Sequence, residues 1–277
     1  MTSPEEIRRD LNKLAAESPC AAGELAFALF TGTPPPLPVR PSERATHDRA
    51  AVDRVDVDGR SLAVYRWGDT GGRVLLLHGF EGRASNLSGF VDGIGDLGMS
   101  AVAFDFFGHG ASEGDRATIT DLVAALRVVD TEYGPFRAIV AHSFGALCAY
   151  EALRSGVRAD RLVTIASICD FDYVPKVFCQ KLGLDPRIEE DLIRRSEEFF
   201  SEDYIWERFS ATYRAAELTV PLLVIHDEND KEIAVEQGRK IAAVYGQAQY
   251  IETRGLGHRR ILADADVITA TLEFVAQ

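Results

Sequence analysis

The sequence predicts an α/β protein built on a doubly wound, mostly parallel sheet. Short apolar runs recur at 74–77, 101–104, 138–141, 162–165 and 222–225. Each run is apolar at every position rather than at alternate ones, as expected of strands buried on both faces. Helix-period segments near 86–97, 118–133, 144–155, 232–245 and 264–276 lie between or after these runs, and strand–helix alternation favours a parallel sheet.

The elements follow in order. Residues 1–31 predict helices: Ser3 can cap a segment whose Ile7, Leu11 and Leu14 recur at helical spacing. Pro34, Pro35, Pro36, Pro38 and Pro41 then predict an extended linker. An N-terminal helical arm and Pro-rich linker are thus expected over 1–49, with the main domain from residue 50. Val52 to Val57 and Ser61 to Trp67 flank Asp58-Gly59, a hairpin signal. The core is expected over 50–166 and 218–277. Between them, 167–217 lacks a strong strand signal and predicts a helical insertion over the sheet.

That insertion is rich in aromatics. Residues 170–213 hold 9 of the chain's 25 Phe, Trp and Tyr, where an even spread would give about four. Phe171, Tyr173, Phe178 and Trp206 are candidates for a substrate pocket, and an ordinary satellite core accounts for them equally well.

Composition narrows the function. The 277 residues carry a formal charge of −13, which argues against nucleic acid and anionic membrane surfaces as partners. The N-terminus lacks a secretory leader, and the apolar stretch 21–30 is interrupted by Gly23 and Glu24. A cytoplasmic protein with reduced cysteines and a small-molecule substrate is expected. Cys20, Cys148, Cys169 and Cys179 have no metal-ligand spacing, so neither metal nor organic cofactor is implied. Gly93-Ile-Gly-Asp-Leu-Gly98 fits a dinucleotide fingerprint but follows a helical segment and precedes a strand, the reverse of the required context. The sequence leaves oligomeric state open.

The chemistry centres on Ile139-Val-Ala-His-Ser143-Phe-Gly145. A serine in a tight strand-to-helix turn projects its hydroxyl above the sheet. Small residues are needed two before and two after it, and Ala141 and Gly145 meet that need. A helix cap is the bland alternative for Ser143. Serine requires a base, and His258 follows the apolar segment around Tyr250–Ile251 in a glycine-bearing loop, where the sheet's carboxyl edge is expected. His78, His109, His142 and His226 read as structural. The orienting acid is expected at Asp230, just past the 222–225 run, with Asp227 as competitor. Backbone amides of Phe80, after His78-Gly79, and of Phe144 are candidate oxyanion donors.

Over about residues 52–276 the sequence resembles the α/β-hydrolase superfamily. The motifs are the His78-Gly79 loop, Asp105-Phe-Phe-Gly108-His-Gly110-Ala-Ser112, the turn at Ser143, the loop ending at Asp230, and His258. The resemblance implies a Ser143–Asp230–His258 triad, an oxyanion hole at Phe80 and Phe144, and a cap after the sixth core strand at about 167–217. One position departs from it: the family turn is G-x-S-x-G, and this chain has Ala141 first. The expected activity is hydrolysis of a small to medium, neutral or apolar carboxylic ester. Thioester, lactone, amide and C–C cleavage share the triad, and a non-catalytic ligand-binding role belongs to a different class. Residues 170–217 carry 12 acidic and 7 basic side chains, an excess that disfavours strongly anionic substrates.

Overall fold

The computed structural model describes residues 3–201 and 204–277. Met1 and Thr2 of the expected arm, and Glu202 and Asp203 of the expected insertion, lie outside the described residues. The chain divides into two compact units: residues 1–32 with 170–213, and residues 33–169 with 214–277.

The larger unit holds one eight-stranded sheet in the order β1-β2-β4-β3-β5-β6-β7-β8. The strands are β1 Ala51–Val57, β2 Arg60–Trp67, β3 Arg73–Leu77, β4 Ser100–Phe104, β5 Phe136–His142, β6 Leu162–Ile165, β7 Leu222–Asp227 and β8 Gln249–Thr253. Only the β1–β2 and β2–β4 pairs are antiparallel; the remaining pairs are parallel. Asp58 and Gly59 both adopt positive φ between β1 and β2, the geometry of the hairpin turn that this dipeptide favours. β8 is an edge strand with exposed and half-buried positions, and for that reason its sequence does not read as a buried run.

The helices of this unit are α3 Pro41–Asp48, α4 Ser88–Asp96, α5 Ile119–Tyr133, α6 Phe144–Arg154, α10 Val235–Val244, α11 Gly257–Arg260 and α12 Ala265–Ala276. Thr118 caps α5 and Asp264 caps α12 through bonds to first-turn amides. α3 corrects the linker expectation. Pro41 stands at the first helical position and Glu43 at the third, both favourable there, so prolines that look like helix breakers here start a helix. One core side of the sheet is filled by Leu76, Val140, Val163 and Ile225, packed with Phe90 of α4 and Phe274 of α12. The candidate dinucleotide fingerprint is the end of α4 and its exit turn, with Gly98 at φ 70°.

The smaller unit is helical: α1 Pro4–Glu17, α2 Pro19–Thr31, α7 Tyr173–Leu182, α8 Pro186–Phe200 and the short α9 Ile205–Arg208. Ser3 and Glu6 form the capping box of α1. Leu11, Ala15, Ala22 and Ala26 share a small core with Ile188 of α8. The first two helices therefore do not stand as a separate arm; they share one unit and one hydrophobic core with α8. Among the described residues no helix is long and apolar enough to cross a membrane.

Candidate active site

β5 ends at His142 and α6 begins at Phe144, so Ser143 alone makes the turn, at φ 55° and ψ −123°. A non-glycine residue there stores about 1–3 kcal/mol and is held only by its surroundings. Those surroundings are tight. A Cβ on Gly145 would lie 2.3 Å from the His78 carbonyl oxygen, and one on Gly79 would lie 2.8 Å from the Ser143 Cβ. Ala141 occupies the family's first glycine position, fully buried between Leu77 of β3 and Thr164 of β6. Its methyl is accommodated, and the turn keeps its form.

Ser143, His258 and Asp230 converge. The Ser143 hydroxyl faces His258 Nε2 at 3.0 Å, and His258 Nδ1 faces Asp230 Oδ2 at 2.7 Å. The Asp230 carboxylate also accepts the amides of Glu232 and Ile233 at 2.8 and 2.9 Å through its other oxygen. His226 Nε2 lies 3.5 Å from Asp230 Oδ2, a contact that sequence reasoning missed because His226 sits inside an apolar strand. Burial alone would raise the Asp230 pKa, yet hydrogen bonds from His226 and His258 and the Ile233 amide hold it well below the usual carboxylate range. The lowered pKa favours the carboxylate form of Asp230 and gives His258 Nδ1 an anionic partner.

Asp227 does different work. Its carboxylate accepts the amides of Asn229, Leu256 and Gly257 and the hydroxyl of Thr253, at 2.8–3.0 Å. It ties the end of β7 to the loop that delivers His258. Burial opposes its charge, and the amide of Gly257 with these other donors lowers its pKa despite that.

Three buried histidines brace the turns around the serine. His78 donates from Nδ1 to the Gly79 carbonyl at 2.7 Å and accepts the Phe106 amide at Nε2 at 2.9 Å. His109 donates from Nδ1 to Phe107 O at 2.9 Å and accepts the Glu81 amide at 3.1 Å. His142 donates from Nε2 to the His258 carbonyl at 2.8 Å. Burial pushes His142 down to about 3 and His78 well below the ordinary imidazole value; His109 is lowered too. The unfolded chain binds these protons from about pH 6.5 downward, and the folded chain resists them. Stability is therefore full above about pH 6.5 and falls as pH drops, by up to about 1.4 kcal/mol per pH unit for each histidine. Urea midpoints at pH 7.5, 6.0 and 5.0 are expected to decrease stepwise, with a shallower decrease in His142→Gln; equal midpoints at all three would contradict this account.

The amides of Phe80 and Phe144 engage no hydrogen-bond acceptor among the described residues. The two rings meet edge to face at 6.0 Å, which places both residues beside the Ser143 turn. Phe171, Tyr173, Phe178 and Trp206 belong to the smaller unit. There Phe171 stacks on Trp206 at 5.5 Å and meets Phe209 edge-on, while Phe178 meets Phe30 at 5.4 Å. Phe171 is buried within that unit, and Tyr173, Phe178 and Trp206 are half-buried.

A doubly wound sheet with a serine on a positive-φ turn at its carboxyl edge defines the α/β-hydrolase class. The sequence matches the model of the alpha/beta hydrolase family over residues 74–271, and the chain belongs to that family. Solved structures share the fold at low identity. An esterase of Pyrococcus furiosus is 18% identical, with a TM-score of 0.65, covering 88% of this chain and 97% of its own. A proline iminopeptidase-related protein of Thermus thermophilus is 22% identical (TM-score 0.62; 82% and 98% covered). The thioesterase domain from the curacin biosynthetic pathway is 16% identical (TM-score 0.60; 82% and 99% covered). No curated protein matches the sequence. At these identities the likeness is one of fold.

Proposed function

We propose that the protein is a serine hydrolase that cleaves a small to medium, neutral carboxylic ester through an acyl-enzyme. The observation that carries this reading is the hydrogen-bonded chain Ser143–His258–Asp230, with steps of 3.0 and 2.7 Å, set on a strained turn.

His258 takes the Ser143 proton as the oxygen attacks the ester carbonyl, and Asp230 holds the imidazole so that Nε2 faces the serine and stabilises the imidazolium that forms. The Phe80 and Phe144 amides receive the negative charge of the tetrahedral intermediate. His258 then gives its proton to the leaving alcohol, and the carbonyl re-forms as an acyl-serine. A water repeats the sequence: His258 removes its proton, the tetrahedral adduct collapses, and Ser143 recovers its hydrogen as the carboxylic acid departs. The net charge of −13 and the acidic excess of residues 170–217 support a neutral substrate over an anionic one.

A fluorophosphonate tests the reading directly. The folded protein is expected to gain one covalent label, located on Ser143 by peptide mass analysis, alongside turnover of p-nitrophenyl butyrate. Folded protein that neither labels nor turns over any ester in a chain-length series would instead be a ligand-binding member of the fold.

A further inference from the structure

The Phe80 amide sits in a tight turn, Gly79 to Gly82, closed by the Gly82 N–H on the Gly79 carbonyl at 3.0 Å. Glu81 in this turn has φ 60°, so the turn does not hold its shape unaided. His78 grips its first carbonyl and His109 its Glu81 amide. The third support is Asn86, whose side-chain oxygen accepts the Arg83 amide at 2.9 Å. That oxygen lies against the turn: a Cβ on Gly82 would sit 2.9 Å from it.

An asparagine amide can flip, and the flipped form would present N–H groups where an acceptor is needed. Glu43 of α3 decides the matter. Its carboxylate accepts Asn86 Nδ2 at 3.1 Å and the Ser85 hydroxyl at 2.7 Å. A carboxylate can only accept, so Asn86 must turn its nitrogen to Glu43 and its oxygen to Arg83. Glu43 is 6% exposed, and the nearest guanidinium, that of Arg40, is 3.7 Å away. Burying a carboxylate is costly; the Arg40 guanidinium and the Arg40 amide, accepted at 3.4 Å at the start of α3, offset part of that cost, and the Ser85 hydroxyl and Asn86 amide take the remaining contacts. A cleft of about 190 Å³ beside these residues is lined by Arg40, Glu43, Phe80, His258 and Arg259. Arg259 is matched by Glu232 and Glu81, and Arg40 by Glu43, so the cleft does not present an unmatched cation to an anion.

We infer that Glu43 is a positioning residue for the oxyanion loop, acting through the Ser85–Asn86 segment on the turn that aims the Phe80 amide. The inference rests on the serine-hydrolase reading. A donor displaced by a fraction of an ångström loses much of its effect on the transition state and little of its effect on substrate binding. Glu43→Ala is therefore expected to lower kcat on p-nitrophenyl butyrate about tenfold, with KM within about twofold. Asn86→Ala is expected to do the same, and Glu43→Gln, which keeps one acceptor, to fall between.

A merely structural role is separated by the thiono ester, whose sulfur fits oxyanion donors poorly. Both alanine variants should show a reduced oxo-to-thiono ratio of kcat/KM, read beside the thermal midpoint of each. A lower midpoint with kcat and ratio unchanged overturns the proposal. Should Glu43→Ala fail to fold, Glu43→Gln and Asn86→Ala carry the same readouts. Ser143→Ala runs beside them: turnover that survives it overturns the hydrolase reading and this proposal together. Serine-dependent turnover with unaltered Glu43 variants overturns this proposal alone.

Discussion

Ser143→Ala is expected to lower kcat/KM on activated esters by about 10⁴-fold or more while leaving the thermal midpoint at or above that of the parent. The rate loss follows from the mechanism: without the hydroxyl no acyl-enzyme forms, and only binding and the oxyanion donors remain to speed direct attack by water. The stability expectation follows from the backbone. Ser143 holds φ 55° and ψ −123° whatever its side chain, and its amide keeps the bond to the Ile165 carbonyl at 2.9 Å. Alanine removes the hydroxyl that faces His258 and changes nothing else in the turn. Stopped-flow and steady-state assays with p-nitrophenyl esters, together with calorimetry, read both quantities. Full activity in the variant would remove Ser143 from the chemistry.

Asp230→Asn is expected to cost about 10⁴-fold in kcat, because an amide can offer its N–H to His258 Nδ1 and stabilise the wrong tautomer. The companion substitution separates the two acids. Asp227→Asn leaves the His258–Asp230 contact in place but weakens four bonds that shape the His258 loop. Its expected effect is a lower urea midpoint and a smaller loss of rate. The Asp230 carboxylate is held below its ordinary pKa, so its share of stability is present above about pH 4 and is lost as pH falls through that range. Asp230→Asn should therefore flatten the acid end of the stability profile. The reverse pattern, with a dead Asp227→Asn and an active Asp230→Asn, would exchange the roles.

Most of the larger unit was legible because its strands announce themselves. The runs at 74–77, 101–104, 138–141, 162–165 and 222–225 each lie within an observed strand, since a strand covered on both faces tolerates only apolar residues. Ser143 was legible for a local reason: its turn needs small neighbours at fixed offsets. His258 and Asp230 depended on chain order and on loops at the carboxyl edge, and the sequence favoured Asp230 with Asp227 left as competitor. In the structure Asp227 has four other partners, in the loop that carries His258. Glu43 was not legible at all. It stands in a proline-rich stretch with an extended look, and its partners Ser85 and Asn86 are more than 40 residues away. The aromatics at 170–213 were visible as a cluster, but composition cannot tell a pocket from a core. In the structure Phe178 meets Phe30 and Phe171 meets Phe209.

The smaller unit is assembled from two pieces of chain that leave the ribosome far apart in time. Asn12 donates to the Gly183 carbonyl at 3.0 Å and accepts the Asp185 amide at 2.8 Å, spans of 171 and 173 residues. Leu11 and Ala22 are synthesised early, yet their partner Ile188 emerges only after most of the sheet has been made. At about 5–20 residues per second the first helices wait roughly ten seconds or more with an apolar stripe uncovered. The first two helices thus form a late-closing clasp. Removing these helices would take Leu11, Ala15, Ala22 and Ala26 away from Ile188, and a fusion partner placed there would have to let them swing back.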